Sequence, residues 1–171
     1  MPTLDKNQQM LDYIMGCSVI AENPLYFNFA NERDNSNQIL VTRDDVMVNK
    51  PYIDGSVLKQ YTVDVLLYKS VAYNPIVLDE TPGGEVVPSQ TYIDENLVDM
   101  RDGQALIDWI LEQNDAMHFP NFGDKCIIES VEPTANKPIL NGVNSNIEPP
   151  LAQYSVGIKV EYLDISKQLW M

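Results

Sequence analysis

Few residues of this chain have the chemistry that catalysis or metal binding requires. His118 is the single histidine, and the two cysteines, Cys17 and Cys126, have no CxxC partner. Nucleophilic catalysis needs a base beside the serine or cysteine, and zinc needs four nitrogen or sulfur ligands, or three and a water. We therefore expect His118 to cap a helix or face solvent. The cysteines are expected to be reduced, small, buried apolar residues.

Acidic side chains are the other possible source of chemistry, because the chain has 25 of them. Asp44 with Asp45, and Asp94 with Glu95, could bind a hard cation, but neither pair has the spaced oxygen ligands of an EF-hand loop. Two carboxylates could also hydrolyse a glycoside. With so many acids some pair always lies near another, and the sequence marks none as special. Solvated surface is favoured, and a carboxylate-dependent glycoside hydrolase stays as a remote alternative.

The charge balance limits the kinds of partner that the chain can bind. Its net charge is −14, from 25 acidic and 11 basic residues. Such a surface repels nucleic-acid phosphates, and no lysine or arginine cluster is present to displace their counterions. A phosphate-binding glycine loop with its lysine is also missing from the sequence. We expect no specific nucleic-acid binding, no cofactor, no metal and no enzymatic activity.

Length and composition indicate one globular domain. The chain has 171 residues, of which 44% are hydrophobic and 21% are charged, which is enough to bury a core. No apolar run approaches the roughly 20 residues of a membrane span, and residues 1–10 lack the apolar segment of a secretory signal. We expect a single domain over 1–171 that folds in a cytoplasm and does not enter a membrane.

Hydrophobic periodicity predicts an N-terminal helix followed by strands. Thr3 can cap the helix. Its predicted apolar face consists of Leu4, Leu11, Ile14 and Met15. Alternation predicts a strand at 25–29. A second strand is expected at 38–43, pairing back on the first, and a third at 46–52, where Pro51 indicates a sheet edge or a strand end.

Two longer strands are predicted, and the first of them is expected to be the central strand of the sheet. Asp54-Gly55 is a strong turn signal before the first of them, at 60–70. The predicted core face of that strand is formed by Tyr61, Val63, Val65 and Leu67. The last strand has five alternating apolar residues, Tyr154, Val156, Ile158, Val160 and Tyr162. Between these strands we expect an inserted hairpin or ordered loop at 74–89, a strand at 125–131 and a long loop at 133–150.

An amphipathic helix is predicted at about 94–113, with Gly103 as a candidate break. Leu106, Trp109 and Ile110 share one face of it. Pro120 cannot continue a helix, so the chain should turn there into the following strand. This order of elements predicts an α+β fold, with a mostly antiparallel sheet and two main helices packed on one face.

Short motifs occur in a fixed order along the chain. They are Tyr52-Ile53-Asp54-Gly55-Ser56, Gln60-Tyr61, Ile107-Asp-Trp109, Phe119-Pro-Asn-Phe-Gly-Asp124, Gln153-Tyr154 and Val160-Glu-Tyr162. Together they resemble the tail terminator (tail completion) proteins of tailed phages and prophages of Gram-positive bacteria. The similarity runs from about Leu11 to Leu163. It is interrupted by the insertion at 74–89 and by the longer loop at 133–150.

This resemblance implies a curved sheet with helices on one side and a subunit that assembles as a closed ring, expected to be a hexamer. The ring would cap the head-proximal end of the tail tube, end its polymerisation and offer the surface that the head joins. Its partners would be the tail tube protein and the head–tail connector proteins, within a virion assembled in the host cytoplasm. A connector or adaptor ring subunit that meets the portal side is the alternative.

The residues that the resemblance implicates are structural. Asp54 and Gly55 would shape a turn beside Tyr52, and Trp109 would lock the helix to the sheet. The segment from Pro120 to Asp124, which includes Phe122, would set the next turn. Independently of the resemblance, the apolar tail 169–171 is expected to dock either on the body of the protein or on a partner, and Trp170 favours a partner.

The resemblance also bears on DNA. Six copies would carry 6 × −14 = −84 charges. A ring lumen with even part of that charge would repel a passing duplex, so DNA would move through it without specific binding.

Overall fold

A curved, mostly antiparallel sheet and the helices on one of its faces make up the described chain. The computed structural model describes residues 5–28, 32–71, 78–80, 86–88 and 91–168, with side chains at 5–28, 32–71 and 100–168. The helices are α1 (Lys6–Ile14), α2 (Ser18–Ala21) and α3 (Thr91–Asp115). The strands are β1 (Leu25–Phe27), β2 (Ser36–Met47), β3 (Val57–Ser70), β4 (Leu78–Glu80), β5 (Val86–Pro88), β6 (Cys126–Pro133), β7 (Ile139–Asn144) and β8 (Leu151–Asp164).

The main sheet has six strands with β3 and β8 at its centre. The order is β1-β2-β3-β8-β6, and β7 pairs with β8 beside β6. β3 and β8 run antiparallel over their full lengths, from Val57 opposite Asp164 to Ser70 opposite Leu151. The strand at 60–70 was expected at the centre of the sheet, and this prediction is confirmed.

One face of the sheet carries the core. The alternating residues of β3 and β8 are buried there, namely Tyr61, Val63, Val65, Leu67, Tyr154, Val156, Ile158, Val160 and Tyr162. Met10 and Ile14 of α1 and Leu106, Ile107 and Ile110 of α3 belong to the same buried cluster. Burial of each such side chain contributes about 1.5–3 kcal/mol. The predicted α+β fold, with helices on one face of the sheet, is therefore confirmed.

The N-terminal helix differs in detail from its prediction. Its cap is Asp5, whose side chain accepts a hydrogen bond from the Asn7 amide at 3.0 Å. Thr3 and Leu4 lie outside the described residues. Met15 was expected on the apolar face but is exposed, because the helix ends at Ile14 and the buried positions are Met10 and Ile14.

The first two strands pair with each other, as predicted, but they run parallel, so the expectation that the second strand turns back antiparallel to the first is wrong. Leu25 lies opposite Asn37, and Phe27 lies opposite Ile39. The predicted third strand at 46–52 is also wrong, because β2 continues through Met47 and pairs with β3. Two register shifts between Val41 and Val46 let β2 keep this pairing, and such bulges are typical of sheet edges.

Helix α3 is continuous, so the candidate break at Gly103 is wrong. A Cβ on Gly103 would lie 2.6 Å from Pro138 Cγ. Glycine therefore permits the close approach of the 133–150 segment and does not end the helix. The helix ends at Asp115, five residues before Pro120. Met117 adopts a left-handed conformation with φ +56°, and the amides of Met117 and His118 bond to the carbonyls of Asn114 and Gln113 at 3.0 and 2.9 Å. This is a Schellman ending.

The segment 133–150 is not a loop throughout, contrary to prediction. It contains β7, in which Ile139 lies opposite Ser155 and Asn144 opposite Leu151. β7 was not predicted because its apolar pattern is short and the residues around it are rich in asparagine and proline. In the segment 74–89, β4 and β5 pair antiparallel, with Leu78 opposite Pro88 and Glu80 opposite Val86.

Candidate interaction surfaces

The turn at Tyr52–Ser56 connects the ends of β2 and β3. The Gly55 amide donates to the Tyr52 carbonyl at 3.0 Å, and the Tyr52 amide donates to the Ser56 carbonyl at 2.8 Å. Asp54 Oδ1 accepts the Ser56 amide at 3.0 Å and the Ser56 hydroxyl at 2.6 Å. Gly55 has φ +86°, which glycine adopts without strain. The structure thus confirms that Asp54 and Gly55 shape a turn.

The segment after β8 fixes this turn to the body of the protein. Gln168 Nε2 donates to Asp54 Oδ2 at 2.8 Å. A Cβ on Gly55 would lie 2.4 Å from the Lys167 carbonyl oxygen, so only glycine allows this close packing. Hydrogen bonds from the Ser56 and Gln168 side chains lower the pKa of Asp54. The turn is therefore held in one orientation by both its own bonds and the C-terminal segment.

Exposed apolar residues are concentrated at this hairpin end. We define the hairpin patch as Val46, Met47, Val48, Tyr52 and Ile53. Ile53 is fully exposed, and the other four side chains are 40–55% exposed. Isolated exposed apolar residues are common on proteins, but several together mark contact surfaces. The rigid turn holds Ile53 where it contributes nothing to the core.

A second group of exposed apolar residues lies on and just after β7. We define the β7 patch as Ile139, Leu140, Val143 and Ile147. These side chains are 36–54% exposed. Asn141 keeps this strand in place, because it donates to Gln153 at 3.2 Å and accepts from the Ser155 hydroxyl at 3.1 Å. This surface was not predicted, because the segment was expected to be a loop. The apolar residues of this acid-free segment were nevertheless a usable signal.

The two patches occupy diagonally opposite corners of the sheet. β7 pairs with β8 only from Leu151 to Ser155, whereas the hairpin end adjoins Asp164 through its partner Val57. Nine residues of strand separate Ser155 from Asp164, which is about 30 Å at ~3.3 Å per residue. Across the sheet, β7 and β2 flank the β8–β3 pair on opposite sides.

A polar cluster anchors the bulge of β2 beside the hairpin patch. Asp45, which has φ +54°, accepts hydrogen bonds from Lys6 of α1 and from the Tyr162 hydroxyl of β8. Lys6 Nζ also donates to the Tyr162 hydroxyl at 3.0 Å. The neighbouring Tyr61 hydroxyl donates to Asn7 Oδ1 at 2.7 Å. The start of α1 is thereby tied to three strands.

The pKa values of the adjacent Asp44 and Asp45 are shifted in opposite directions in this cluster. Burial alone would raise the pKa of Asp45, but hydrogen bonds from Lys6 and Tyr162 outweigh it and lower the pKa. Burial and the negative charge of Asp45 raise the pKa of Asp44. Burial and the bond to Asp45 also raise the pKa of Tyr162. Asp45 is thus a structural counterion at an open sheet edge.

The remaining predicted residues lie mainly in the interior. Phe122 is buried and makes edge contacts with the Tyr61 and Tyr162 rings, with centroids 5.5 Å apart in each pair. Pro120 is buried as well. Trp109 is only partly buried and packs on Tyr13, with ring centroids 5.2 Å apart, and on Gly16. It therefore joins α3 to α1, and it also packs against the buried core cluster. Trp170 lies outside the described residues.

The groups considered for chemistry do not converge. His118 is exposed, Cys17 is buried and Cys126 is partly exposed, with both thiols free. Among the described side chains no three potential metal ligands come together. None of the helices in the described part of the chain has both the length and the apolar character that a membrane span needs.

The helix layer carries more negative than positive charge. The helices α1, α2 and α3 together contain eight acids and two bases, Lys6 and Arg101. Several of these acids are exposed, namely Asp12, Asp108, Glu112 and Asp115. The outer surface of α3 is accordingly mainly acidic.

Comparison with protein-family models gives no match, and no curated protein matches the chain. The functional interpretation therefore depends on the surfaces described above and on the motif resemblance.

Proposed function

We propose that this protein is a structural subunit of a phage tail, in which copies form a closed ring that caps the head-proximal end of the tail tube. The ring ends tube polymerisation and provides the surface for head joining. The proposal combines the ordered motifs of the sequence with the two exposed apolar patches. In this proposal the protein acts through shape and contact.

The observation that carries the proposal is the placement of two different apolar patches at opposite corners of one sheet. An isologous dimer uses one patch twice, whereas a ring needs two distinct surfaces on every subunit. The hairpin patch and the β7 patch are distinct in sequence, separated along the strands and both exposed. These are the properties that head-to-tail assembly requires.

The acidic helix surface suits the inside of such a ring. Eight acids against two bases in the helices α1, α2 and α3 would create a negative potential that repels the duplex backbone. DNA would then pass through without being retained. A ring whose pore is lined by neutral or basic side chains would refute this part of the proposal.

The test is a tube-capping assay. Tail tube protein is polymerised with and without this chain, and tube lengths are measured by negative-stain electron microscopy. We expect shorter tubes with a ring at one end. An equal concentration of an unrelated folded acidic protein serves as the control and should leave the lengths unchanged.

Other outcomes separate the alternatives. Unchanged tube lengths with bare ends would contradict the proposal. Binding to a portal ring in place of the tube end would favour the connector or adaptor role. Release of sugar from cell-wall glycan, lost on substitution of a single carboxylate, would favour the hydrolase.

A further inference from the structure

We infer that the hairpin patch of one copy docks on the β7 patch of the next copy, so that the occupant of both surfaces is a second copy of this chain. This inference rests on the proposed function, because it names the contact that would close the ring. It assigns a partner to Ile53 and Val143, neither of which contributes to the buried core.

Charge explains why the copies would meet at these two surfaces. A chain with net charge −14 repels its own copies over most of its surface. Both patches lie in segments without acids. Residues 46–53 contain Lys50 and no acid, and residues 133–147 contain Lys137 and no acid. The segment 133–147 is the longest acid-free stretch of the chain. Contact between these two segments therefore places no acid of one segment against an acid of the other.

The anchoring of both patches limits the entropy that docking would cost. The turn below Ile53 is held by Asp54, Ser56 and Gln168. β7 is held by its ladder with β8 and by Asn141. Surfaces that are already ordered lose little freedom on association.

A complementation experiment tests the direction of docking. Ile53→Asp places a charge in the hairpin patch and leaves the β7 patch intact, and Val143→Asp does the reverse. Each variant alone should lose self-association, with the dissociation constant raised about 100-fold. Mixed together they should form a dimer and nothing larger, because one intact pair of patches remains. Sedimentation velocity at rising protein concentration measures this.

The controls guard against misfolding and against general effects of charge. Both substituted side chains are exposed, so thermal unfolding of each variant should match that of the parent chain. Leu111→Asp introduces the same charge at an exposed apolar residue of α3, away from both patches, and should not change association.

Three results would overturn the inference: a parent chain that stays monomeric at every concentration, a mixture that does not pair, or association of Ile53→Asp by itself. The tube-capping assay on the parent chain separates this failure from failure of the proposed function. Capping without pairing in the mixture refutes the docking alone. Pairing without capping upholds the docking and refutes the tail role.

Discussion

At the scale of single residues, Met117 holds a conformation that its side chain makes costly. Its φ is +56° and its side chain is largely exposed, so it gains little from packing. Glycine adopts this left-handed conformation without the steric penalty. We expect Met117→Gly to raise the free energy of unfolding by about 0.5–1 kcal/mol after the entropy that glycine costs. Urea denaturation measures the change.

Alanine at the same position is the control for this prediction. Met117→Ala removes the same side chain but keeps the Cβ, so it should give little gain. If glycine lowers stability instead, the exposed side chain makes a stabilising contact and the explanation through backbone strain is wrong.

Asp164 should contribute to the stability of the protein in acid. Burial alone would raise its pKa, but hydrogen bonds from Lys59 and Ser166 outweigh it and lower the pKa from 3.8 to about 2. The Lys59 Nζ to Asp164 Oδ2 distance is 2.8 Å. Since the folded-state pKa is below the unfolded one, the contribution is complete above pH 4 and is lost as the pH falls from about 4 to about 2. Its size is about 2 kcal/mol.

Substitution with Asp164→Asn isolates this contribution from that of other acids. The lowered pKa of Asp45 makes the protein less stable as the pH falls, as that of Asp164 does. The raised pKa of Asp44 has the opposite effect on stability. Stability of the parent chain and of the variant is measured by urea denaturation at several pH values. The difference between them should shrink between about pH 4 and about 2. A difference that stays constant over this range would contradict the assignment.

At the scale of elements, Gly103 and Pro138 join α3 to the segment before β7. A Cβ on Gly103 would lie 2.6 and 2.9 Å from the Cγ and Cβ of Pro138, and the proline ring cannot turn away. Overpacking costs about 1–3 kcal/mol, which exceeds the ~1 kcal/mol that alanine gains in a helix. We expect Gly103→Ala to lower the free energy of unfolding by about 1 kcal/mol.

The effect of Gly103→Ala on the free energy of unfolding should change sign when the proline ring at position 138 is removed. In a Pro138→Gly background, which lacks both the Cγ and the Cβ of residue 138, Gly103→Ala should stabilise the protein, because helix propensity remains and the collision with residue 138 does not. A double-mutant cycle by urea denaturation gives this coupling. Additive effects would show that the two residues do not press on each other.

The elements that could be predicted are those with a long regular pattern. The alternation in β3 and β8 defined their buried faces, and the spacing of Leu106 and Ile110 defined the inner face of α3. The parallel pairing of β1 depends on tertiary contacts that no local pattern encodes. β7 was missed because its apolar residues are interleaved with asparagine and glycine, which usually indicate a loop.

The candidate surfaces were predicted less well than the fold. Asp54-Gly55 was identified as a turn because that dipeptide has a specific backbone preference. Sequence pattern could not show that Trp109 packs on Tyr13 or that Phe122 is enclosed by two tyrosines, since these contacts join distant segments. Exposure of Ile53 and Val143 likewise appears only once the register of the sheet is known.

At the scale of the whole molecule, the net charge of −14 should make assembly depend on salt. Repulsion between copies is screened as the Debye length falls from about 10 Å at 0.1 M to about 3 Å at 1 M. We therefore expect self-association to strengthen with added sodium chloride, which sedimentation velocity can measure. Ile53→Asp should remain monomeric at both salt concentrations. Weakening with salt would mean that contacts between opposite charges, and not the apolar patches, hold the copies together.

The most direct measurement is an image of the particle itself. A tagged copy of this chain is incorporated into assembling phage tails, and averaged electron micrographs locate the tag. The account predicts a single ring at the head-proximal end of the tail tube, seated directly on the last tube ring. A tag spread along the tube, located only on the portal side or absent from the particle would contradict it.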